Sequence, residues 1–346
     1  MTPPRHILVL RFSALGDIAM TVPIIKNLLS QNPDVEISYI SVSFVKPLFA
    51  NIERLHFYPI DIKKYKGIFA LLKVARLIKS TIPFDAVADL HDVLRTKIIR
   101  FFLGQKNTAV IDKGRKDRQK LIRLHNKILR PLKTMFERYA DVFRKLGIPI
   151  SFNVEQGIAV QKADMSLLLY PRENYTFIGI APFAKHKPKL YPLVKMEEVI
   201  SLLSKNENNK IVIFGSKEEL QNFAKFFNNS NIISFAANLS LSEELNLISQ
   251  LDLMVTMDSA NMHLASLVGT PVISLWGGTH PFAGFHGWGQ DFTNIIQTDL
   301  PCRPSSIFGN KKCPIHGEAG CMQKITPELV TEKISNFLES KRTKIL

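Results

Sequence analysis

The stretch "LDLMVTMDSANMHLASLVGTPVISLWGGTHP", residues 251–281, brings together residue types suited to holding a phosphate. An apolar run ends at Asp258, and Ser259, Ala260 and Asn261 then open a helix that carries His263. Small and hydroxyl-bearing residues at a helix start leave backbone N–H groups available to an anion. Gly277-Gly278-Thr279, after the next apolar run, offers a second loop with close backbone access. A plainer reading, in which Asp258 and Ser259 simply cap the helix, stands beside this one. The chain has neither a Walker motif nor a G-x-G-x-x-G, which disfavours a P-loop nucleotidase and a typical dinucleotide oxidoreductase.

A second group lies near the N-terminus. In "LVLRFSALGDIAMTVP", residues 8–23, Leu and Val lead into Arg11-Phe12-Ser13, the chain turns at Gly16, and Asp17 stands at the mouth of an apolar helix. An acidic residue in a first helical turn is ordinary. A third group, "PCRPSSIFGNKKCPIHGEAGC", places Cys302, Cys313, His316 and Cys321 in a C-x10-C-x2-H-x4-C run. Three thiols and an imidazole are zinc ligands by type. The spacing matches no established motif, so a structured loop with free or buried thiols is the expectation, as it is for the lone histidines His91 and His280.

These groups need elements to position them. Short aliphatic runs alternate with amphipathic stretches, the pattern of βα units and parallel sheets. Strands are expected at 7–11, 36–41, 55–60, 85–90 and 108–112, with a helix over 68–80. A polar connector around 163–174 precedes a second series at 175–181, 210–215, 231–235, 251–257 and 271–276. Ser240 and Glu243 form a capping box, and Thr326-Pro327 fits an N-cap and first helical position. The fold class is therefore α/β, with two Rossmann-like domains facing a central cleft. The expected boundaries are 1–165, 175–325 and a C-terminal helix over 326–346. Ligands bind such sheets at the carboxyl ends of their strands, where both Asp17 and Asp258 fall.

With 346 residues the chain suits two domains. No apolar run approaches the roughly 20 residues that span a bilayer, the N-terminus lacks a signal-peptide layout, and three cysteines fit a reducing cytoplasm. The formal charge is +15, and residues 95–145 hold 16 Lys plus Arg against 4 Asp plus Glu, a net of +12. Such a segment suggests a polyanionic partner: nucleic acid, anionic membrane or acidic substrate.

Taken together, the sequence resembles the heptosyltransferase family of glycosyltransferases (family 9), which add ADP-heptose to the inner core of lipopolysaccharide. The resemblance rests on "RFSALGDIAMTVP", on "APFAKHKPKLYP" (181–192) and on "MDSANMHLASLVGTPVISLWGGTHP". It implies a GT-B enzyme, inverting, with no metal and no cofactor, whose acceptor binds the N-terminal domain and whose nucleotide sugar binds the C-terminal one. Asp17 would be the general base. Lys189 would face the departing diphosphate, with Lys185 and Lys187 close by in sequence. Ser259, Ala260 and Asn261 would contact phosphate through their backbone, supported by His263. Asp258 would meet sugar hydroxyls, and Glu219 in "FGSKEEL" would hold the ribose. Ser13, Gly16, Arg95, Arg115 and Arg118 would serve an anionic lipid-linked acceptor. The basic segment would meet the inner face of the inner membrane, making the protein cytoplasmic and peripheral. Two other enzyme readings keep the scaffold: a transferase using another nucleotide sugar, and a nucleotide-sugar 2-epimerase. A non-enzymatic alternative is a nucleic-acid-binding protein, although no recognition motif or aromatic interleaving accompanies the bases.

Overall fold

A computed structural model describes residues 3–154, 174–226, 228–233, 239–318 and 320–343. The connector expected at 163–174 lies almost wholly outside the described residues. The chain divides into two compact units. Unit 1 comprises residues 1–114 and 133–154, and unit 2 comprises 115–132 and 155–346. Residues 115–132, which the sequence pattern leaves in the first half, thus cluster with the second.

Unit 1 is built on a parallel sheet of β1 (His6–Leu10), β2 (Glu36–Ser41), β3 (Leu55–Pro59), β4 (Ala86–Asp89) and β5 (Thr108–Val110), in the order β3-β2-β1-β4-β5. Its helices are α1 (Leu15–Ala19), α2 (Thr21–Gln31), α3 (Ile68–Thr81), α4 (Leu94–Leu103) and, after residue 132, α6 (Met135–Lys145). The central strand β1 is apolar throughout Ile7–Leu10 because both of its faces are covered, as parallel sheets require. Helix α3 turns Leu71, Val74, Ala75 and Ile78 inward at helical spacing. The strand order reverses between β1 and β4, which are paired from Ile7↔Ala86 to Leu10↔Asp89. The loops after these two strands therefore leave the sheet side by side.

Unit 2 repeats the plan. It contains α5 (Arg115–Leu121) and a six-stranded parallel sheet of β6 (Thr176–Ala181), β7 (Asn209–Ile213), β8 (Ile232–Ile233), β9 (Leu253–Met257), β10 (Val272–Trp276) and β11 (Ile295–Gln297). The order β11-β10-β9-β6-β7-β8 places the switch point between β6 and β9, whose register ends at Ala181↔Thr256. The helices are α7 (Leu193–Leu203), α8 (Lys217–Leu220), α9 (Leu241–Ser249), α10 (Ala260–Leu267), α11 (Gly320–Gln323) and α12 (Pro327–Thr343). Ser240 and Glu243 close the capping box on α9, and Thr326 Oγ1 accepts from Leu329 N at the start of α12. Helix α12 packs against α7. Arg342 near its end donates to Thr176 Oγ1 on β6 at 2.9 Å.

Candidate active site

In unit 1 the Asp17 side chain does not cap α1, whose N-cap residue is Ala14. It reaches back to Arg11, the first residue after β1, with Nη2 and Oδ2 3.0 Å apart. The Arg11 side chain is buried and also donates to the Leu90 carbonyl after β4. The guanidinium therefore bridges the two loops of the switch point and aims the Asp17 carboxylate, which stays partly exposed. His91 lies beside it. Burial, together with the charges of Arg11 and Lys113, pushes its pKa down to about 4, so the ring is neutral near pH 7. Its Nδ1 accepts from Phe12 N at 3.3 Å. The proton then sits on Nε2, which donates to Ser13 Oγ at 3.3 Å. Both ring nitrogens of His91 are thus engaged, whereas the Asp17 carboxylate stays partly open to an incoming hydroxyl. Asp89, fully buried, accepts from His91 N and Asp92 N and pairs with Arg100 at 2.8 Å, holding the β4 loop in place.

In unit 2 the β6–β9 register carries the Lys189 loop to the end of β9. Lys189 Nζ lies 2.8 Å from Oδ2 of the buried Asp258. Its stem runs over Gly309, where φ is +73° and a Cβ would stand 2.6 Å from Lys189 Cγ. Lys187 instead pairs with Glu318 at 3.2 Å, and Lys185 is exposed. The geometry thus singles out Lys189 from its two neighbours. Ser259 is the N-cap of α10, yet its hydroxyl meets Thr256 Oγ1 at 2.9 Å and caps nothing. With Asp258 held by Lys189, the first amides of α10 are not satisfied by either side chain that a capping reading would use.

A cavity of about 470 Å³ adjoins this helix start, lined among others by Gly215, Ser216, Glu219, Glu244, Leu247 and Asn261. The size suits a small organic ligand. Burial raises the pKa of Glu244, which accepts from Asn261 Nδ2 at 3.4 Å. Glu219 accepts from Ser216 N at 2.9 Å in a capping box on α8, so one of its oxygens serves the fold. The loop after β10 is held by Arg303, which donates to the carbonyls of Gly277 (2.6 Å), Trp276 (2.9 Å) and Thr279 (3.0 Å). Gly278 N donates to Pro188 O at 2.9 Å, joining this loop to the lysine segment.

Residues 72–313 match the model of glycosyltransferase family 9 (heptosyltransferase). The chain belongs to that family. It is 27% identical over 364 residues to lipooligosaccharide heptosyltransferase 2 of Haemophilus influenzae, covering 96% of this chain and 99% of the relative. Among solved structures, a family 9 glycosyl transferase from Veillonella parvula matches with a TM-score of 0.77 at 19% identity, over 97% of this chain and 98% of that one. E. coli ADP-heptose lps heptosyltransferase II matches with a TM-score of 0.68 at 18% identity, over 98% and 99%. The two parallel α/β units are those of a GT-B glycosyltransferase.

For this family 9 enzyme, the other residues singled out from sequence fall as follows. Ser13 and Arg95 are exposed in unit 1, and Gly16 is buried. Arg115 is exposed on α5 in unit 2. Arg118, on the same helix, is buried with its guanidinium over the rings of Phe285 (4.9 Å) and Phe308 (5.4 Å), a packed position inside unit 2. His263 is buried on α10. His280 accepts from Phe282 N and is pushed down to about 4 by burial and by Arg303, as a structural histidine would be. Sequence reasoning assigned no role to Arg11, Glu244 or Arg303. Arg11 was visible only as the charge ending an apolar strand, and Glu244 as the neighbour of a capping glutamate.

The cysteines converge. Cys302, Cys313 and Cys321 are all free and buried. Sγ of Cys302 lies 3.3 Å from Nδ1 of His316. Burial and the neighbouring thiols push Cys302 up to about 11.

Proposed function

We propose that this family 9 enzyme moves a heptose from ADP-heptose to the inner core of lipopolysaccharide by an inverting, metal-independent displacement. The observation that carries the reading is the donor side of unit 2: Lys189 anchored on Asp258 beside the uncapped start of α10. A diphosphate leaving group needs positive potential where its charge develops, and a lysine with preorganised amides supplies it without a divalent ion. The matched relative's heptosyltransferase name supports the sugar, and E. coli ADP-heptose lps heptosyltransferase II supports the nucleotide.

In this mechanism Asp17, aimed by Arg11, takes the proton of the acceptor hydroxyl as that oxygen attacks the anomeric carbon. The bond from that carbon to the diphosphate oxygen breaks, and ADP departs with its charge met by Lys189 and the amides of Ala260 and Asn261. Asp258 positions the lysine. The nucleoside occupies the cavity, with its ribose hydroxyls on Glu219 and Glu244. His263 backs the phosphate-facing turn, and Ser13, with Arg95 exposed on the same unit, meets the anionic acceptor.

The same reading makes the enzyme peripheral on the cytoplasmic face of the membrane. Much of the basic segment is committed internally: Arg100 pairs with Asp89, Arg138 donates to Asp112 O, and Arg144 pairs with Glu137. Arg115, Lys116, Arg123 and Arg130 are exposed, interleaved with exposed Leu124, Ile128 and Leu129. Bases flanking apolar side chains suit an anionic lipid surface better than a nucleic acid. No helix among the described residues is long and apolar enough to cross a membrane.

Calorimetric titration with ADP, UDP, GDP and CMP, without added metal, tests the donor assignment. Selective binding of ADP is expected. Preference for another nucleotide would remove ADP-heptose as donor, and binding of none would remove the enzymatic reading of the unit 2 site.

A further inference from the structure

The loop from 298 to 325 does two jobs at the donor side yet has little regular structure of its own. Arg303 holds the carbonyls of Trp276, Gly277 and Thr279, while Ser305 N and Ser306 N both donate to Gly278 O. Gly309 carries the Lys189 stem. Among its described residues the regular elements are the four-residue α11 and one bridge between Cys313 and Gly317. A loop of that length inside a compact unit needs something to fix it.

The cysteine cluster sits at its centre. Sγ of Cys302, Sγ of Cys313 and a ring nitrogen of His316 all lie within 4.8 Å of one another. Cys321 packs in the same buried cluster as Cys302 and Cys313 and supplies the fourth candidate ligand. Cys313-Pro314-Ile315-His316-Gly317 forms a tight turn in which Cys313 and Gly317 exchange two backbone hydrogen bonds of 2.9 Å, with Gly317 at φ +72°. Within it, His316 N lies 3.4 Å from Cys313 Sγ, so the sulfur already accepts a backbone N–H while facing the imidazole. This is the local geometry of a metal knuckle, built on a two-residue ligand spacing. Among the described residues, the hydrophobic side chain packed on the cysteine cluster is the half-buried Leu300, so the thiols face each other more than a hydrocarbon core.

We propose that Cys302, Cys313, His316 and Cys321 form a tetrahedral site for a thiophilic divalent ion, zinc above all, which staples this loop. Zn–S bonds of about 2.3 Å and Zn–N bonds of about 2.0 Å put tetrahedral ligand atoms about 3.5–3.8 Å apart. The Cys302–His316 distance of 3.3 Å is about 0.2 Å short of the mixed sulfur–nitrogen spacing, the other two distances within the Cys302, Cys313 and His316 trio close by at most about 1 Å, and Cys321 swings in as the fourth ligand. Binding releases the thiol protons to solvent, and three thiolates around a divalent ion leave one net negative charge. Arg303 and Lys127 lie close enough to act electrostatically on these sulfurs, and both are cations. Spacing alone left these residues as a structured loop with free or buried thiols; the fold closes the long C-x10-C separation and brings Cys302 and Cys313 together. The ion is structural and takes no part in the transfer step.

The test is elemental analysis of the full-length protein purified without chelator, followed by chelation under reducing conditions and reconstitution with ZnCl2 alone. About one zinc per chain is expected. Zinc should also raise the melting temperature of the stripped protein and shield three thiols from a thiol reagent. His316→Ala should lose the metal, whereas His316→Cys should keep it, which separates ligation from a folding defect. Iron at the same stoichiometry, lost in His316→Ala and kept in His316→Cys, would support the site with a different ion. Absence of any bound metal, together with no change in melting temperature or thiol reactivity on adding zinc, would overturn it. A weaker grip on ADP in the stripped protein rests additionally on the donor reading. Zinc stoichiometry does not, so the two can fail separately.

Discussion

Arg11 and Asp17, six positions apart around a single loop, form an ion pair of 3.0 Å in which the arginine is buried and the carboxylate partly open. Because the same guanidinium is tied to Leu90 O, the carboxylate is positioned by two strands of the sheet and not by its own short helix. Arg11→Lys keeps the charge but loses the fork that makes both contacts. Steady-state kinetics should show kcat reduced by about 10-fold or more with little change in the donor KM. An equal fall in donor affinity would mean that the pair acts only on the fold.

Lys189 and Asp258 are coupled, so their substitutions should not add. Lys189→Ala removes a cation from the diphosphate and leaves a buried carboxylate near it. ADP affinity should fall by about 10- to 100-fold, the scale of a charge-assisted hydrogen bond. Adding Asp258→Asn to that variant should restore part of the loss, and a calorimetric double-mutant cycle measures it. Strict additivity would separate the two residues.

Three buried histidines set an acid limit on stability. His91, His280 and His286 are each pushed down to about 4, chiefly by burial. In the unfolded chain they titrate near about 6.5, so between these values the unfolded state binds more protons. Their contribution is full above the unfolded value and is lost as pH falls toward 4. From pH 6.5 to 5 each is worth up to about 2 kcal/mol. Urea midpoints at pH 7.5 and 5 should therefore converge in His286→Gln, whose wild-type ring stacks on Phe292 at 4.3 Å. An unchanged gap would contradict this.

The exposed bases of 115–132 should govern lipid binding. Arg123→Gln with Arg130→Gln should weaken sedimentation with phosphatidylglycerol-containing vesicles by about 10-fold or more, at roughly 1 kcal/mol per base. Neutral phosphatidylcholine vesicles should bind neither protein. Equal binding of both proteins to the anionic vesicles would dismiss the patch.

The strands were legible because central parallel strands are buried on both faces and so appear as unbroken aliphatic runs, from Ile7–Leu10 to Val272–Trp276. Strand β11 was not, since three residues at a sheet edge carry no periodicity. Asp17 and the Asp258–His263 block could be placed at strand ends from sequence. The choice of Lys189 over Lys185 and Lys187 could not, because it depends on Asp258, which is brought beside it only by the β6–β9 register. Arg118 was expected to serve the acceptor, and the aromatic rings that bury it arrive more than 160 positions later. Cys302, Cys313, His316 and Cys321 stood out by residue type, but the convergence of Cys302, Cys313 and His316 did not, because it belongs to the folded loop and spacing along the chain does not encode it.

The most direct test of the account compares wild-type and Asp17→Asn proteins in an ADP-heptose turnover assay on a deacylated core acceptor, with ADP affinity measured on the same samples. Asp17→Asn should leave the melting temperature unchanged and ADP binding within about two-fold, with turnover lower by about 10²–10⁴-fold. Asp17→Asn turnover close to the wild-type rate would contradict it, because the carboxylate would then hold structure and move no proton.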